Sequence, residues 1–476
     1  MPQEYKTPGV YIEEIPHLPP SIASVETAIP AFIGYTQKQP TETEPGSPIP
    51  KPIKISSIFE YELYYGTTVN EKDISVKIDL RQSSDPFTTS KTSNKPLYYM
   101  YYQLQMFYAN GGGDCYIVSV GTLTDGTNVS KADFTNGLHE IEKIHDVTLI
   151  SMPDAVSLSS TDYYDLQKTA IDQCVDLKDR FNVFDVWIDD SPVGAGNPPH
   201  ENVTTMRNAT ISTEIEDRKY GAVYYPRIYT GVDYLYSEDN VILTVIDTTG
   251  TTVIDAKPLT SAKSGFNNYY NMAKNAIADY TMLLPASPAV LGVYATVDNN
   301  RGVWKAPANV GLSNTIKPEL SITSDKQETL NVDPQDGKSI NVIRSFPGRG
   351  SAIIWGARTL LGNDNEWRYI PVRRFFIMVE QSVKNATEQF VFEPNDENTW
   401  VRVKSMIQNY LTQQWKAGAL MGASVKEAFF VHIGLGQTMT EVDIWEGRMI
   451  IQIGMAVVRP AEFIILQFMH KMLSES

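Results

Sequence analysis

The sequence predicts a multidomain chain of mixed α/β and α+β class, and three observations carry that prediction. Residues 147–188 read as strand, helix, strand with short links, which is the signature of a parallel βαβ unit. Residues beyond about 336 change character, to amphipathic helices followed by a strand-rich end. Both chain ends read as extended arms. A length of 476 residues leaves room for several domains.

The elements follow in order. Prolines at 2, 8, 16, 19 and 20 forbid a helix in the first twenty residues, yet Val10, Tyr11 and Ile12 sit in a short β-competent stretch. An arm that apolar needs a surface or a sheet edge to lie on. Residues 31–36 read as a buried strand, and residues 97–109 as a helix stopped by Asn110-Gly111-Gly112-Gly113. Within 147–188, Tyr163, Leu166, Ala170, Cys174 and Leu177 recur at helical spacing between the two strands, with Ser160 or Thr161 as N-cap. Residues 191–218 read as loop, 222–229 and 290–296 as strands, and 231–262 as part of an inserted β region. Val372, Phe375, Phe376, Val379 and Val383 make one helical face. Trp400, Val403, Ile407, Tyr410 and Leu411 make another, capped near Asn398 and ended by Gly418. Near the end, Met449, Ile451, Ile453, Met455 and Val457 are bulky and apolar, and most of the residues between them are uncharged. A strand apolar on both faces must be covered on both faces, so it is expected to dock into a larger sheet.

The expected organisation is a linking arm over 1–25 and an α/β domain over 26–335 with insertions near 41–96 and 231–285. A helical-plus-strand domain over 336–447 and a linking strand or arm over 448–476 follow.

Composition excludes several function classes. A hydrophobic fraction of 42% and a charged fraction of 20% describe an ordinary globular chain rather than a disordered one. A net charge of −16 repels phosphate backbones and anionic membrane surfaces, and the longest apolar runs, near 449–458 and 463–469, fall far short of the ~18–20 residues of a membrane helix, so no nucleic-acid partner and no membrane insertion is expected. Two cysteines, Cys115 and Cys174, make neither a disulfide framework nor a zinc cluster and fit a reducing cytoplasm. The N-terminus lacks a basic patch followed by an apolar core, so no secretion signal is expected. The 26 tyrosines suit either a tyrosine-rich core or half-dry interfaces.

Motifs that would carry chemistry are weak. Gly337-Lys338-Ser339 ends like a phosphate loop, but position 332 is valine where the pattern needs glycine. His139 and His145 are six apart, and a helical zinc site needs four. Three aspartates remain. Asp154, Asp189 and Asp190 follow the two strands of the βαβ unit, where a parallel sheet binds ligands and where carboxylates can hold magnesium. That supports an alternative reading as a metal-dependent hydrolase. Helix and turn capping is the preferred explanation, because no general base, phosphate loop or basic partner accompanies them. An adhesive surface protein is a third reading, and it would need an export signal. Arg344, Arg349, Arg358, Arg368, Arg373 and Arg374 make a basic stretch in an acidic chain. It is read as internal ion pairs or as a charged face for a protein partner.

Several segments together resemble the contractile tail sheath family. The opening Tyr5-Lys6-Thr7-Pro8-Gly9-Val10-Tyr11-Ile12-Glu13-Glu14 is similar to its N-terminal arm, and Val25-Glu26-Thr27-Ala28-Ile29-Pro30-Ala31-Phe32-Ile33-Gly34 continues the likeness. So do Gly111-Gly112-Gly113-Asp114-Cys115-Tyr116 and Arg301-Gly302-Val303-Trp304-Lys305-Ala306-Pro307-Ala308-Asn309. Arg344-Ser345-Phe346-Pro347-Gly348-Arg349-Gly350, Trp355-Gly356-Ala357-Arg358-Thr359-Leu360, Trp367-Arg368-Tyr369-Ile370-Pro371-Val372-Arg373-Arg374 and Arg459-Pro460-Ala461-Glu462-Phe463 complete it. The likeness fades over 41–96 and 231–285, and insertions of that length lean toward an extracellular injection system.

The resemblance implies a structural protein with no catalytic residues, cofactor or metal. Its subunits would stack as rings, usually of six, around an inner tube. Contraction of the sheath would then drive the tube through a target envelope. It implies arms that link neighbouring subunits, for which Val10, Tyr11, Ile12, Met449, Ile451, Ile453, Met455 and Val457 are the candidates. It also implies a C-terminal domain that faces the tube, for which Arg368, Arg373, Arg374, Lys404 and Lys416 are the candidates. Further copies of the chain, the tube protein, baseplate and terminator proteins and paralogous sheath subunits are the implied partners. The implied setting is assembly in a bacterial cytoplasm, as part of a phage tail or of a released or membrane-anchored tail-like particle.

Overall fold

The structure, a computed structural model, describes residues 21–466 except 83, 85, 92–94, 125–128 and 189–199. Its first half runs β1 (Pro30–Thr36), β2 (Ile53–Ile55), α1 (Ile58–Tyr65), β3 (Ser75–Asp79), β4 (Phe87–Ser90), α2 (Met100–Ala109), β5 (Cys115–Thr122), α3 (Lys131–Glu142), β6 (Leu149–Ser151), α4 (Ser160–Leu177), β7 (Phe181–Asp185), α5 (His200–Asn208) and β8 (Gly221–Tyr225). There follow β9 (Ile228–Thr230), β10 (Ile242–Ile246), β11 (Thr252–Pro258), α6 (Asn267–Ala278), β12 (Met282–Leu284), α7 (Ser287–Arg301), β13 (Val310–Gly311), β14 (Thr315–Pro318), α8 (Ser324–Asn331), β15 (Asn341–Phe346) and β16 (Gly350–Ile354). The last third is α9 (Ile370–Thr387), α10 (Glu397–Lys416), α11 (Val425–Ala428), β17 (Phe429–His432), α12 (Glu441–Trp445) and β18 (Gln452–Met455).

Nine strands form the central sheet, in the order β13-β16-β15-β8-β7-β6-β1-β5-β2. The run β5-β1-β6-β7-β8 is parallel throughout and has the chain order 2-1-3-4-5 of a doubly wound sheet. The βαβ unit read at 147–188 is β6-α4-β7, with Leu149 opposite Phe181. Its helix is capped one residue earlier than expected, by Ser159, whose side chain accepts from the Asp162 amide. β1, β7 and β8 are buried at every position, because a central parallel strand is covered on both faces.

Four further strands make a second sheet, β11-β10-β3-β4, which draws β3 and β4 from the stretch 41–96 and β10 and β11 from 231–285. β10 pairs in parallel with β3, and α6 packs on β3 and β4. A buried Glu71–Lys91 pair, 3.1 Å apart, lies beside it, and the Glu71 carboxylate also accepts from the Leu97 amide.

Three expectations fail here. Residues 290–296 are not a strand but part of α7, whose residues 287–295 are all buried. A helix apolar on every side shows no 3.6-residue pattern, so it reads like a buried strand. Residues 200–208, read as loop, form α5. The strand expected over 222–229 is broken at Pro226 into β8 and β9, which belong to different sheets. The cap of α10 also shifts, from Asn398 to Asp396, which accepts from the Thr399 amide.

Contacts divide the chain into two compact units. One comprises Glu26–Met378 and Arg459–Ser476, and the other Met1–Val25 and Val379–Val458. The division falls inside α9 rather than near 336, because β15 and β16 extend the central sheet beside β8. In the smaller unit, α10 buries Val403, Met406, Ile407, Tyr410 and Leu411 and packs on β17. Ser24 reaches the Tyr410 hydroxyl at 3.1 Å, and the Val25 amide donates to Ser382 at 3.0 Å.

Candidate assembly surfaces and buried charges

In a doubly wound sheet, ligands enter beyond the carboxyl ends of the strands where the chain order reverses, here between β1 and β6. Asp154 fills that place. Its carboxylate accepts from the amides of Tyr35 (2.9 Å), Tyr99 (2.6 Å) and Met100 (3.2 Å), so it joins the end of β1 to the start of α2. A Cβ on Gly34 would come within 2.5 Å of this carboxylate, which is why glycine stands there. Burial pushes the Asp154 carboxyl up to about 6, against the pull of the three amides.

Asp185, which the sequence reading did not single out, repeats the arrangement one strand along. It ends β7 and accepts from the Ala286 (2.8 Å) and Ser287 (3.0 Å) amides and the Ser287 hydroxyl, capping α7. Burial pushes its carboxyl up to about 6 as well. The two capped helices pack together, and Gly292 permits it: a Cβ there would lie 2.4 Å from the Phe107 carbonyl. Asp189 and Asp190 lie outside the described residues. Among the described residues no three His, Cys, Asp or Glu side chains could hold a metal ion. The hydrolase reading therefore has no support from Asp154, which is consumed by capping.

Gly337-Lys338-Ser339 is equally structural. The buried Lys338 ammonium donates to the carbonyls of Arg207 and Ala209 (2.8 Å to the latter) and so closes the C-terminal end of α5. His139 and His145 are exposed and stand near Glu142 and Asp179 respectively.

Of the basic stretch, Arg358, Arg373 and Arg374 are buried, Arg344 and Arg368 half-buried and Arg349 exposed, so the reading as internal pairs holds for part of it and the reading as a partner face is removed for Arg373 and Arg374. Arg374 and Asp298 form a bidentate pair at 2.6 and 3.1 Å, with side chains only 3% and 4% exposed. Arg373 is buried over the Tyr220 and Trp367 rings, at 4.6 and 5.0 Å. Neither arginine presents its charge at a surface. Arg358 is buried and bound to Glu462. Arg344 reaches Gln327, and Arg349 stacks over Phe346 and Trp355. Arg368 is half-buried and donates to the Asp364 carbonyl. On α10, Lys404 is half-buried and Lys416 exposed, and no acidic residue occurs from Asn398 to Lys416.

Of the arm residues, Val10, Tyr11 and Ile12 lie outside the described residues. At the other end the strand is shorter than expected. β18 covers only Gln452–Met455 and pairs antiparallel with β17, Ile453 opposite Val431. Met449, Ile451, Ile453 and Met455 are half-buried, and Val457 is buried and bridges Leu420. Among the described residues this sheet has two strands, so each strand keeps one unpaired edge.

The family model for the phage tail sheath C-terminal domain matches residues 362–470. The tail sheath protein of Vibrio phage KVP40 is 26% identical over 259 residues, which is 54% of this chain and 32% of that protein. Among solved structures, the PVC sheath complex of an extracellular contractile injection system, in the contracted state, is 30% identical. It covers 98% of this chain and 99% of its own, with a TM-score of 0.65. The contracted helical sheath of the anti-feeding prophage (AFP) is likewise 30% identical, over 98% and 100%, with a TM-score of 0.62.

This chain belongs to the contractile tail sheath family. It is a contractile injection system sheath protein of mixed α/β fold. The sheath family model spans α9 to β18 and runs on past Glu462, so it covers the β17-β18 sheet and the Arg459-Pro460-Ala461-Glu462-Phe463 segment. Among the described residues of this sheath protein, no helix is long and apolar enough to cross a membrane.

Proposed function

We propose that this sheath protein polymerises as stacked rings of six around an inner tube, and that its contraction drives the tube through a target envelope. The observation that carries the reading is the likeness over 98% of the chain to sheath subunits in contracted assemblies. The protein acts as a structural element without catalytic residues. A baseplate and a terminator close the two ends of the polymer. A related chain occurs in the AFP baseplate, at 31% identity. The polymer is metastable: each subunit gains a few kcal/mol on repacking, and many subunits release a large total.

The open edges of β17 and β18 support strand exchange between copies. In this reading residues 1–25 and 448–476 are the linking arms, with Val10, Tyr11 and Ile12 supplying one added strand. Removal of residues 1–15 is expected to leave a folded, soluble chain that forms no sheaths in negative-stain micrographs. Normal striated tubes from that truncation would sink the reading.

The tube-facing role falls to the acid-free run Asn398–Lys416 of α10 and to Arg368, since Arg373 and Arg374 are buried. The double variant K404E/K416E should leave the melting temperature nearly unchanged but reduce co-sedimentation of sheath with tube, more so at low salt. Equal co-sedimentation at every salt concentration would remove these two lysines from the interface.

A further inference from the structure

After Val458 the chain returns to the larger unit. There it meets a site built for one carboxylate. Glu462 accepts from Arg358 Nε at 3.0 Å and Nη2 at 2.6 Å, from Asn331 Nδ2 at 2.7 Å and from the Tyr369 hydroxyl at 3.1 Å. The Arg358 side chain is 4% exposed and that of Glu462 22%.

The arginine is itself fixed. Its Nη1 donates to the Gly362 carbonyl at 3.1 Å, and its backbone amide and carbonyl both bond the Asn341 side chain. Asn341 opens β15, so the site is founded on the central sheet. Arg459 adds a bond to the Asn365 carbonyl at 2.7 Å. Burial alone would push the Glu462 carboxyl up, but Arg358 and Asn331 hold it below the ordinary range.

Immediately beyond, Phe463, Ile464, Ile465 and Leu466 are 70–81% exposed. Within four residues the chain passes from a charge-locked anchor to an apolar run that no described residue covers.

We propose that Glu462 is a latch: locked on Arg358, it fixes the point and direction in which the C-terminal segment leaves the subunit, so that residues 463–466 are delivered to a second copy of the chain. This rests on the sheath reading. The latch, however, is a property of the free subunit and can be measured there. Without it the arm would pivot beyond the Arg459–Asn365 contact, and the volume it searches before capture would grow. Guanidinium and carboxylate suit the task, because a paired fork fixes direction as well as position.

The test uses the full chain with Ala461→Cys carrying a nitroxide. Cys115 and Cys174 are buried, and burial pushes the Cys115 thiol up to about 12, so the label goes to the introduced thiol alone. In E462Q the label should move roughly tenfold faster, reflecting the lost charge-assisted bonds, and sheath yield should fall by a similar factor. E462D, which keeps the charge on a shorter stem, should recover part of both. An immobile label in E462Q overturns the latch. A mobile label with undiminished sheath yield overturns its role in delivery. If the unsubstituted chain forms no sheath, the assembly reading fails, and the latch stands or falls on the label alone.

Discussion

Replacement of Arg374 by alanine should cost the larger unit about 3–5 kcal/mol, read from the urea midpoint of its unfolding transition. Its guanidinium sits between Asp298, the Thr27 carbonyl at 2.8 Å and the face of the Tyr294 ring at 4.6 Å. Asp298 accepts one further bond, from the Thr27 hydroxyl at 2.6 Å. Removing the arginine therefore strands a buried carboxylate with a single neutral donor, and the penalty is the desolvation of that charge rather than the worth of one pair. The loss should persist in high salt, since buried pairs are poorly screened. Lys131→Ala is the matched control in the same unit. Its pair with Asp165 is exposed, so the change should stay within ~0.5 kcal/mol. An Arg374→Ala chain within about 1 kcal/mol of the unsubstituted protein would contradict the buried-pair account. A charge reversal at Arg374 would also abolish sheaths. It would do so by unfolding a subunit, so an assembly defect at this position is not evidence of a lost contact with the tube.

The same residue shows where sequence reading stops. Arginines crowded into an acidic chain look like a surface patch, because net charge is a property of composition and burial is not. Arg374 meets Asp298 across 76 positions and Arg358 meets Glu462 across 104, and no local pattern announces either pairing. The elements that were legible had local causes. The β6-α4-β7 unit declared itself through periodicity and short links, and α10 through an apolar face and the glycine at 418, which takes φ 88°. Helix α7 is hidden from sequence, because its environment is apolar on all sides and leaves no period to detect. Alternation at Met449–Val457 was visible, but the extent of pairing was not, since a strand's partners are set by tertiary contacts. Capping is the role the sequence favours for Asp154, yet its three donors are backbone amides, which carry no sequence signal.

Those donors make Asp154 the second site with a large expected effect. Asp154→Ala would orphan three buried amides and loosen α2 from β1. At about 1–3 kcal/mol for each unsatisfied group, partly offset by removal of a buried charge, a net loss of about 3 kcal/mol is expected at neutral pH. The pH dependence is the sharper test. The folded carboxyls of Asp154 and Asp185 titrate near 6, above the 3.8 of an unperturbed aspartate. Between those values the folded chain holds protons that the unfolded chain has released. The contribution of these groups to stability therefore falls as pH rises from about 4 to 6, and it stays low above 6. Each carboxylate accounts for on the order of 3 kcal/mol across that window. Titration of urea midpoints between pH 4 and 7 should accordingly show a component that weakens with rising pH, reduced in Asp154→Asn and reduced further when Asp185→Asn is added. Asparagine cannot ionise, and its amide nitrogen must face one of the donor amides, so both variants should also be less stable at pH 5, where the native acids are mostly protonated. Identical pH profiles for the unsubstituted and doubly substituted chains would show that both aspartates stay ionised to the acid limit, held there by amides and helix ends strong enough to outweigh complete burial.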